Sequence, residues 1–158
     1  MKKPLLVVAC GNLSRGDDAL GPLLLDYIEQ HETLTDIELV TDFQLQVEHA
    51  LDIQQRTLVL FVDASVTHND YFDFIELTAA KDHSFSSHAL SPSAVLQVYQ
   101  TVTNTPPPPS FLLGIKGFSF ELGDDLSAAA EHNLQLACEF AAQLLKQPNP
   151  SAWRQKTT

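Results

Sequence analysis

Leu5-Leu6-Val7-Val8-Ala9-Cys10-Gly11-Asn12-Leu13-Ser14-Arg15-Gly16-Asp17-Asp18-Ala19-Leu20-Gly21-Pro22 is the stretch whose reading decides the fold class. Its first six residues are a continuous apolar run, the pattern of a parallel strand buried on both faces. Gly11 and Asn12 end the run. Both tolerate positive φ, so a tight turn costs little there. Leu20, Leu23, Leu24, Tyr27 and Ile28 then recur at helical spacing. The stretch reads as strand, turn and helix, with Asp17 and Asp18 at the mouth of the turn. Either aspartate can act as a cap or dipole partner at the helix start. Either can also face a ligand, because ligands of open α/β sheets bind beyond the carboxyl ends of the strands. The spacing Gly11-x4-Gly16-x4-Gly21 matches neither phosphate fingerprint: a Walker loop needs Gly-Lys-Ser/Thr, and a dinucleotide loop needs closer glycines. Two carboxylates there would repel a pyrophosphate, so the turn suits a cation.

Working outward, strands are predicted at 37–42, at 57–63, where an apolar run closes on Asp63, and at 111–117. Residues 71–77 alternate polar and apolar, as an edge strand does. A short helix follows the second strand, with Asp42 or Gln44 near its cap. Ser91-Pro92 is a cap followed by proline at the first helical position. Pro106 to Pro109 form a stiff extended connection. Asp124 or Asp125 is expected to cap a long helix running to about Lys146. The order β-α-β-α-β-β-α-β-α predicts an α/β fold of three layers: a twisted, mostly parallel sheet of about five strands with helices on both faces. Residues 1–147 are read as one domain and 148–158 as a polar mobile tail, in which Trp153 has no evident role.

The chain has 158 residues, 20 acidic against 9 basic, and a net charge of -11. That balance disfavours nucleic acid and anionic membranes as partners and is compatible with a cationic ligand or a basic protein segment. Cys10 and Cys138 lie in an apolar strand and an apolar helix, as small buried hydrophobes do. No segment is apolar for long enough to span a bilayer. Lys2-Lys3-Pro4 leads straight into the first strand without a signal-like run. A cytoplasmic protein, and a monomer, is the expectation.

In such a sheet the strand ends gather on one edge. Asp18 follows the first strand, Asp42 ends the second and Asp63 the third, and His88 precedes a helix that can fold over the same edge. Two carboxylates and an imidazole are a divalent-metal set; imidazole suits nickel, zinc, copper and iron, and three protein ligands leave positions open for water or substrate. The plainer alternatives are that Asp63 caps a turn and that His88 is an ordinary loop histidine. His31, His49, His68, His83 and His132 have weaker claims, since none adjoins a strand end; His83 is the nearest rival. There is no His-Glu-x-x-His helix and no Gly-x-Ser-x-Gly elbow, and Cys10 sits inside a strand, where a nucleophile is not expected.

Gly11-Asn12-Leu13-Ser14-Arg15-Gly16-Asp17-Asp18-Ala19-Leu20-Gly21, Val62-Asp63-Ala64, His88 before Ser91-Pro92-Ser93-Ala94-Val95-Leu96, and Gly123-Asp124-Asp125-Leu126-Ser127 occur in this order. Together they resemble the [NiFe]-hydrogenase maturation endopeptidases, over residues 5 to about 145. The resemblance implies a twisted sheet between helices. It implies an endopeptidase that removes the C-terminal extension of a hydrogenase large-subunit precursor once nickel has been inserted. It assigns Asp18, Asp63 and His88 to nickel carried by that precursor, so metal is expected to be loosely bound or absent in the free protein. Asp18 and Asp63 are then also the candidate catalytic groups. Many members carry Asp-Gly-Gly-Thr after the second strand; here Asp42-Phe43-Gln44-Leu45 keeps the aspartate and lacks the glycines, which resembles the branch serving soluble, bidirectional, NAD(P)-linked hydrogenases. Asp42 and Gln44 are candidates for substrate binding. The rival functions are another metal-dependent hydrolase of small substrates and a non-catalytic nickel-binding maturation factor.

Overall fold

The computed structural model describes residues 2–66, 69–82 and 89–158. Strand β1 (Leu5–Cys10) is buried along its whole length. It is joined by β2 (Ile37–Asp42), β3 (Leu58–Ser65), β4 (Phe72–Glu76) and β5 (Ser110–Lys116) in one sheet of order β2-β1-β3-β5-β4. The neighbours β2-β1-β3-β5 pair in parallel, and β4 runs antiparallel at the edge. The helices are α1 (Leu20–His31), α2 (His49–Ile53), α3 (Pro92–Thr103), α4 (Ala128–Lys146) and α5 (Pro150–Arg154).

Strand alternation sorts the core into two layers. Leu5, Val7, Ala9, Leu58, Leu60 and Val62 pack with Leu20, Leu24 and Ile28 of α1 and Ala137, Ala141 and Leu144 of α4. Leu6, Val8, Cys10, Val59 and Phe61 pack with Ala50 and Ile53 of α2 and Val95 and Leu96 of α3. Both faces of β1 and β3 are therefore covered. That is why their sequences are apolar throughout, each large aliphatic contributing about 1.5–3 kcal/mol by leaving water.

Several boundaries differ from the sequence reading. The helix after β1 begins as a 3-10 turn, Gly16–Ala19, before α1, and its N-cap makes no side-chain hydrogen bond. Neither Asp17 nor Asp18 caps a helix, because each carboxylate has a tertiary partner. Strand β3 runs two residues past Asp63, since Asp63, Ala64 and Ser65 find partners in Gly114, Ile115 and Lys116 of β5. The cap of α4 is Ser127, not Asp124 or Asp125; its Oγ accepts the Ala130 amide. The predicted cap of α3 holds: Ser91 Oγ accepts the Ala94 amide, with Pro92 at the first helical position.

The tail read as polar and mobile is instead docked. Residues of α5 return to the sheet, where Trp153 is fully buried and its indole N–H donates to the Leu144 carbonyl at 2.9 Å. Its ring packs on Phe74 and Phe111. The Thr158 amide donates to the Phe74 carbonyl at 2.8 Å.

Candidate active site at the carboxyl edge of the sheet

The site begins with how tightly the first turn folds. Gly11 has φ +148, and a Cβ there would stand 2.0 Å from the Asp18 carbonyl oxygen. Only glycine allows the 3-10 turn to fold back onto the end of β1. Gly21 does the same for α1: a Cβ would lie 2.7 Å from the Cys10 carbonyl oxygen and 3.0 Å from that of Val62. The helix therefore starts directly over the ends of β1 and β3. Asp18, half-buried, turns its Oδ2 to accept the Asn12 amide at 2.9 Å.

The two neighbouring strand ends supply the other carboxylates. Cys10 pairs with Asp42 across β1 and β2, and Asp63 lies one step past the last β1–β3 pair, Ala9 with Val62. Residues level with one another in a parallel sheet point to the same face, so Asp42, Cys10 and Asp63 form a row on the α2–α3 side. The electrostatics agree. The Cys10 thiol is pushed up to about 12, by burial first and then by the charges of Asp63, Asp42 and Asp18 in turn. It is held as a neutral thiol among three carboxylates, consistent with a packing role and not that of a nucleophile.

Asp63 itself is raised to about 6. Burial is the main cause, the Ala64 amide on its Oδ1 opposes it, and the Asp18 charge adds to it. Opposite Asp63 on β5 is Gly114, and opposite Gly114 on β4 is Asp73. The missing side chain leaves a cavity of about 250 Å³ into which Asp63 and Asp73 open, closed on one side by Pro92 at the start of α3.

His88 and its rival His83 fall outside the described residues, so the imidazole of the expected set is not placed. Among the described residues, no three His, Cys, Asp or Glu side chains stand close enough to hold a metal ion by themselves. Asp18, Asp42 and Asp63 are thus brought to one edge without forming a closed metal cage. Gln44 is half-buried in the loop after β2.

No family model and no curated protein matches the chain. Solved structures do. A [NiFe] hydrogenase maturation protease, HycI from Thermococcus kodakarensis KOD1, superposes with a TM-score of 0.71 at 23% identity, over 92% of this chain and 94% of that one. The hydrogenase maturating endopeptidase HybD from E. coli gives 0.73 at 23% identity, over 92% and 93%. A hydrogenase 2 maturation peptidase from a Thaumarchaeota archaeon gives 0.66 at 18%, over 91% and 99%. The chain has the fold of the [NiFe]-hydrogenase maturation proteases. The likeness implied by the sequence motifs therefore holds for the fold across nearly the whole chain.

On this maturation-protease fold, three residues stand out that sequence reasoning placed wrongly or passed over. Asp17 is not a surface charge at a helix start. It is fully buried, and its carboxylate accepts the amides of Phe118, Ser119 and Ser127 and the Ser127 hydroxyl, at 2.7–3.0 Å. It ties the β5–α4 loop to the turn that carries Asp18. His49 does meet a strand end: its Nε2 lies 3.3 Å from Asp42 Oδ2. Asp73 shares the Asp63 cavity from the edge strand. Register across strands distant in sequence places Asp73, whereas His49 meets Asp42 because the chain turns back after β2 into α2.

Proposed function

We propose that this protein is an endopeptidase of hydrogenase maturation: it removes the C-terminal extension of a [NiFe]-hydrogenase large-subunit precursor after nickel insertion, in the cytoplasm and as a monomer. The observation that carries the reading is the row of carboxylates, Asp18, Asp42 and Asp63, at the strand-end crevice of a maturation-protease fold. In this reading Asp18, Asp63 and His88 take hold of nickel that the precursor brings with it. The acidic edge supports a metal delivered by substrate, because two carboxylates and one imidazole leave coordination positions for the substrate to fill. For the cleavage, Asp63 is the better-matched general base. In the metal-free protein its carboxyl is raised to about 6 by burial, and in the complex it accepts a proton from an attacking water through the oxygen that the metal leaves free. That proton then passes to the departing amine as the peptide bond breaks, which returns Asp63 to its starting state.

The experiment is direct. Nickel-loaded and nickel-free precursor are incubated with the protein, and the large subunit is weighed by mass spectrometry. Loss of a C-terminal peptide from the loaded form alone is the expected result. Asp63→Asn and His88→Ala each abolish that loss while circular dichroism stays native. Wild-type processing by Asp63→Asn removes the proposal, and equal processing of nickel-free precursor removes the role of the metal.

A further inference from the structure

Among the described residues, β4 has a neighbouring strand, β5, on one side only. The ladder shows which of its backbone groups face outward. The Lys116 amide donates to the Tyr71 carbonyl at 3.0 Å, and the Leu77 amide donates to the Ser110 carbonyl at 2.8 Å. Alternation along an antiparallel pair then turns the backbone groups of Asp73 and Ile75 toward β5, and those of Phe72, Phe74 and Glu76 outward. Phe74, the middle one, already has a partner. Its carbonyl accepts the Thr158 amide at 2.8 Å, and its amide donates to the Thr158 hydroxyl at 3.1 Å. Thr158 thus imitates a paired strand, with a side-chain oxygen where a strand would use a carbonyl. Among the described residues, the outward amides and carbonyls of Phe72 and Glu76 have no hydrogen-bond partner. The broad side of β4 is bare as well. Tyr71 and Ile75 are 45% and 41% exposed, and Ile75 lines, with Asp73, the cavity into which Asp63 opens.

We propose that the outer edge of β4 receives an extended segment of the polypeptide substrate as an added strand, which pairs with Phe72 and replaces Thr158 at Phe74. This role rests on the peptidase reading and names a surface along which such a peptidase holds its substrate. Strand addition draws its affinity from main-chain hydrogen bonds. The edge offers two outward residues in line for it, one unpaired and one held by a single exchangeable residue. Edges of this kind are normally blunted. Here the cover is partial: Thr158 sits at Phe74, and Arg154 donates to both oxygens of the Glu76 carboxylate at 2.9 Å. What covers the edge is itself a stretch of polypeptide, so the edge accepts that chemistry as it stands. Position favours the substrate as the occupant. Because β4 runs against β5, Phe72 is the end of β4 at the carboxyl edge of the sheet, and Asp73 is level with Gly114 and Asp63. A segment leaving the Asp63 edge crosses the cavity over Gly114 and meets β4 at Phe72. Alternate side chains of the added strand then lie beside Tyr71 and Ile75 and cover them.

The test uses the whole protein, labelled with ¹⁵N, and two probes. One is acetyl-threonyl-valyl-threonyl-valyl-threonine amide, whose residues favour strands. The other is the same peptide N-methylated throughout, which keeps the side chains and loses the donors. The amides of Phe72 and Thr158 are the reporters. The first peptide is expected to shift Phe72 saturably and slow its hydrogen exchange, and to speed exchange at Thr158 as the bond to Phe74 is released. The methylated peptide binds at least fivefold more weakly. Thr158→Ala, which removes the hydroxyl bond to Phe74, binds the first peptide severalfold more tightly. Unmoved reporters, equal binding of the methylated peptide, or unchanged binding by Thr158→Ala each overturn the proposal. Protection at Phe72 that grows with protein concentration and not with peptide assigns the edge to a second copy of the chain, and overturns it too. Precursor processing separates the two readings. The peptide should raise KM for nickel-loaded precursor and leave kcat unchanged. If precursor is cut and peptide bound at β4 leaves KM unchanged, the substrate role of the edge fails and the peptidase stands. If the peptide binds at β4 and no precursor is cut, the peptidase reading fails and the edge stands as a polypeptide-binding site.

Discussion

Asp17 and Asp18 are adjacent and chemically identical, yet the fold gives them opposite tasks. Burial alone would raise the Asp17 carboxyl. The amides of Ser127, Phe118 and Ser119 and the Ser127 hydroxyl outweigh it, and the carboxyl sits below its ordinary value of 3.8. A lowered value in the folded state means stability that is present above about 3.8 and lost as pH falls through the folded value. Asp17→Asn places an amide N–H against donors that now meet an oxygen. It should cost about 3 kcal/mol at pH 7 in urea unfolding, far more than a helix-start charge is worth. The gap from wild type should shrink as pH is taken below 3.8. Asp63 has the opposite sign. Its folded value of about 6 lies above the unfolded one, so its charged form opposes folding; the cost is absent below about 3.8 and complete above 6. Asp63→Asn should therefore raise Tm at pH 8, by an amount equivalent to about 2–3 kcal/mol, and leave it unchanged at pH 4. A lower Tm for Asp63→Asn at pH 8 would mean that the carboxylate is a structural partner.

Among the elements, α5 departs most from what its sequence predicts. Five residues with one tryptophan carry no helical periodicity, and the partners of that tryptophan, Phe74 and Phe111, lie far back in the chain. Trp153→Ala should cost about 3–5 kcal/mol, as large buried aromatics do, with a matching fall in the urea midpoint. A mobile tail would give no change. The α4 start was missed for a related reason. Ser127 Oγ both accepts the Ala130 amide and donates to Asp17, 110 residues earlier, so a tertiary contact, and not the nearest acidic residue, selects the cap. By contrast β1, β3, the edge strand and the α3 cap were legible. Continuous apolar runs, alternation and Ser-Pro are signals that their own few residues complete.

At the scale of the whole molecule, the strand order β2-β1-β3-β5-β4 carries Asp42 and Asp63 to either side of Cys10. Three carboxylates at one edge, in a protein of net charge -11, attract cations, and in the proposed reading two of them with one imidazole hold a divalent ion only loosely until substrate adds ligands. Protein expressed without its precursor should therefore hold well under one equivalent of nickel after dialysis against chelator, measured by plasma mass spectrometry. Stoichiometric retention would indicate a standing metal centre instead. The sequence by itself determined the α/β class, the nearly parallel sheet, the burial of Cys10 and Cys138, and Asp42 as the residue that ends β2, because period, chain order and turn residues are local properties; that β3 continues two residues beyond Asp63 came from its pairing with β5. Tertiary structure alone decided that Asp17 is a buried tie, that His49 meets Asp42, that Asp73 opens into the Asp63 cavity and that Trp153 closes the core. All but the His49 contact, which joins residues seven apart, depend on how segments far apart in the chain meet, and no local pattern encodes which distant backbone N–H or side chain will arrive to meet a given residue.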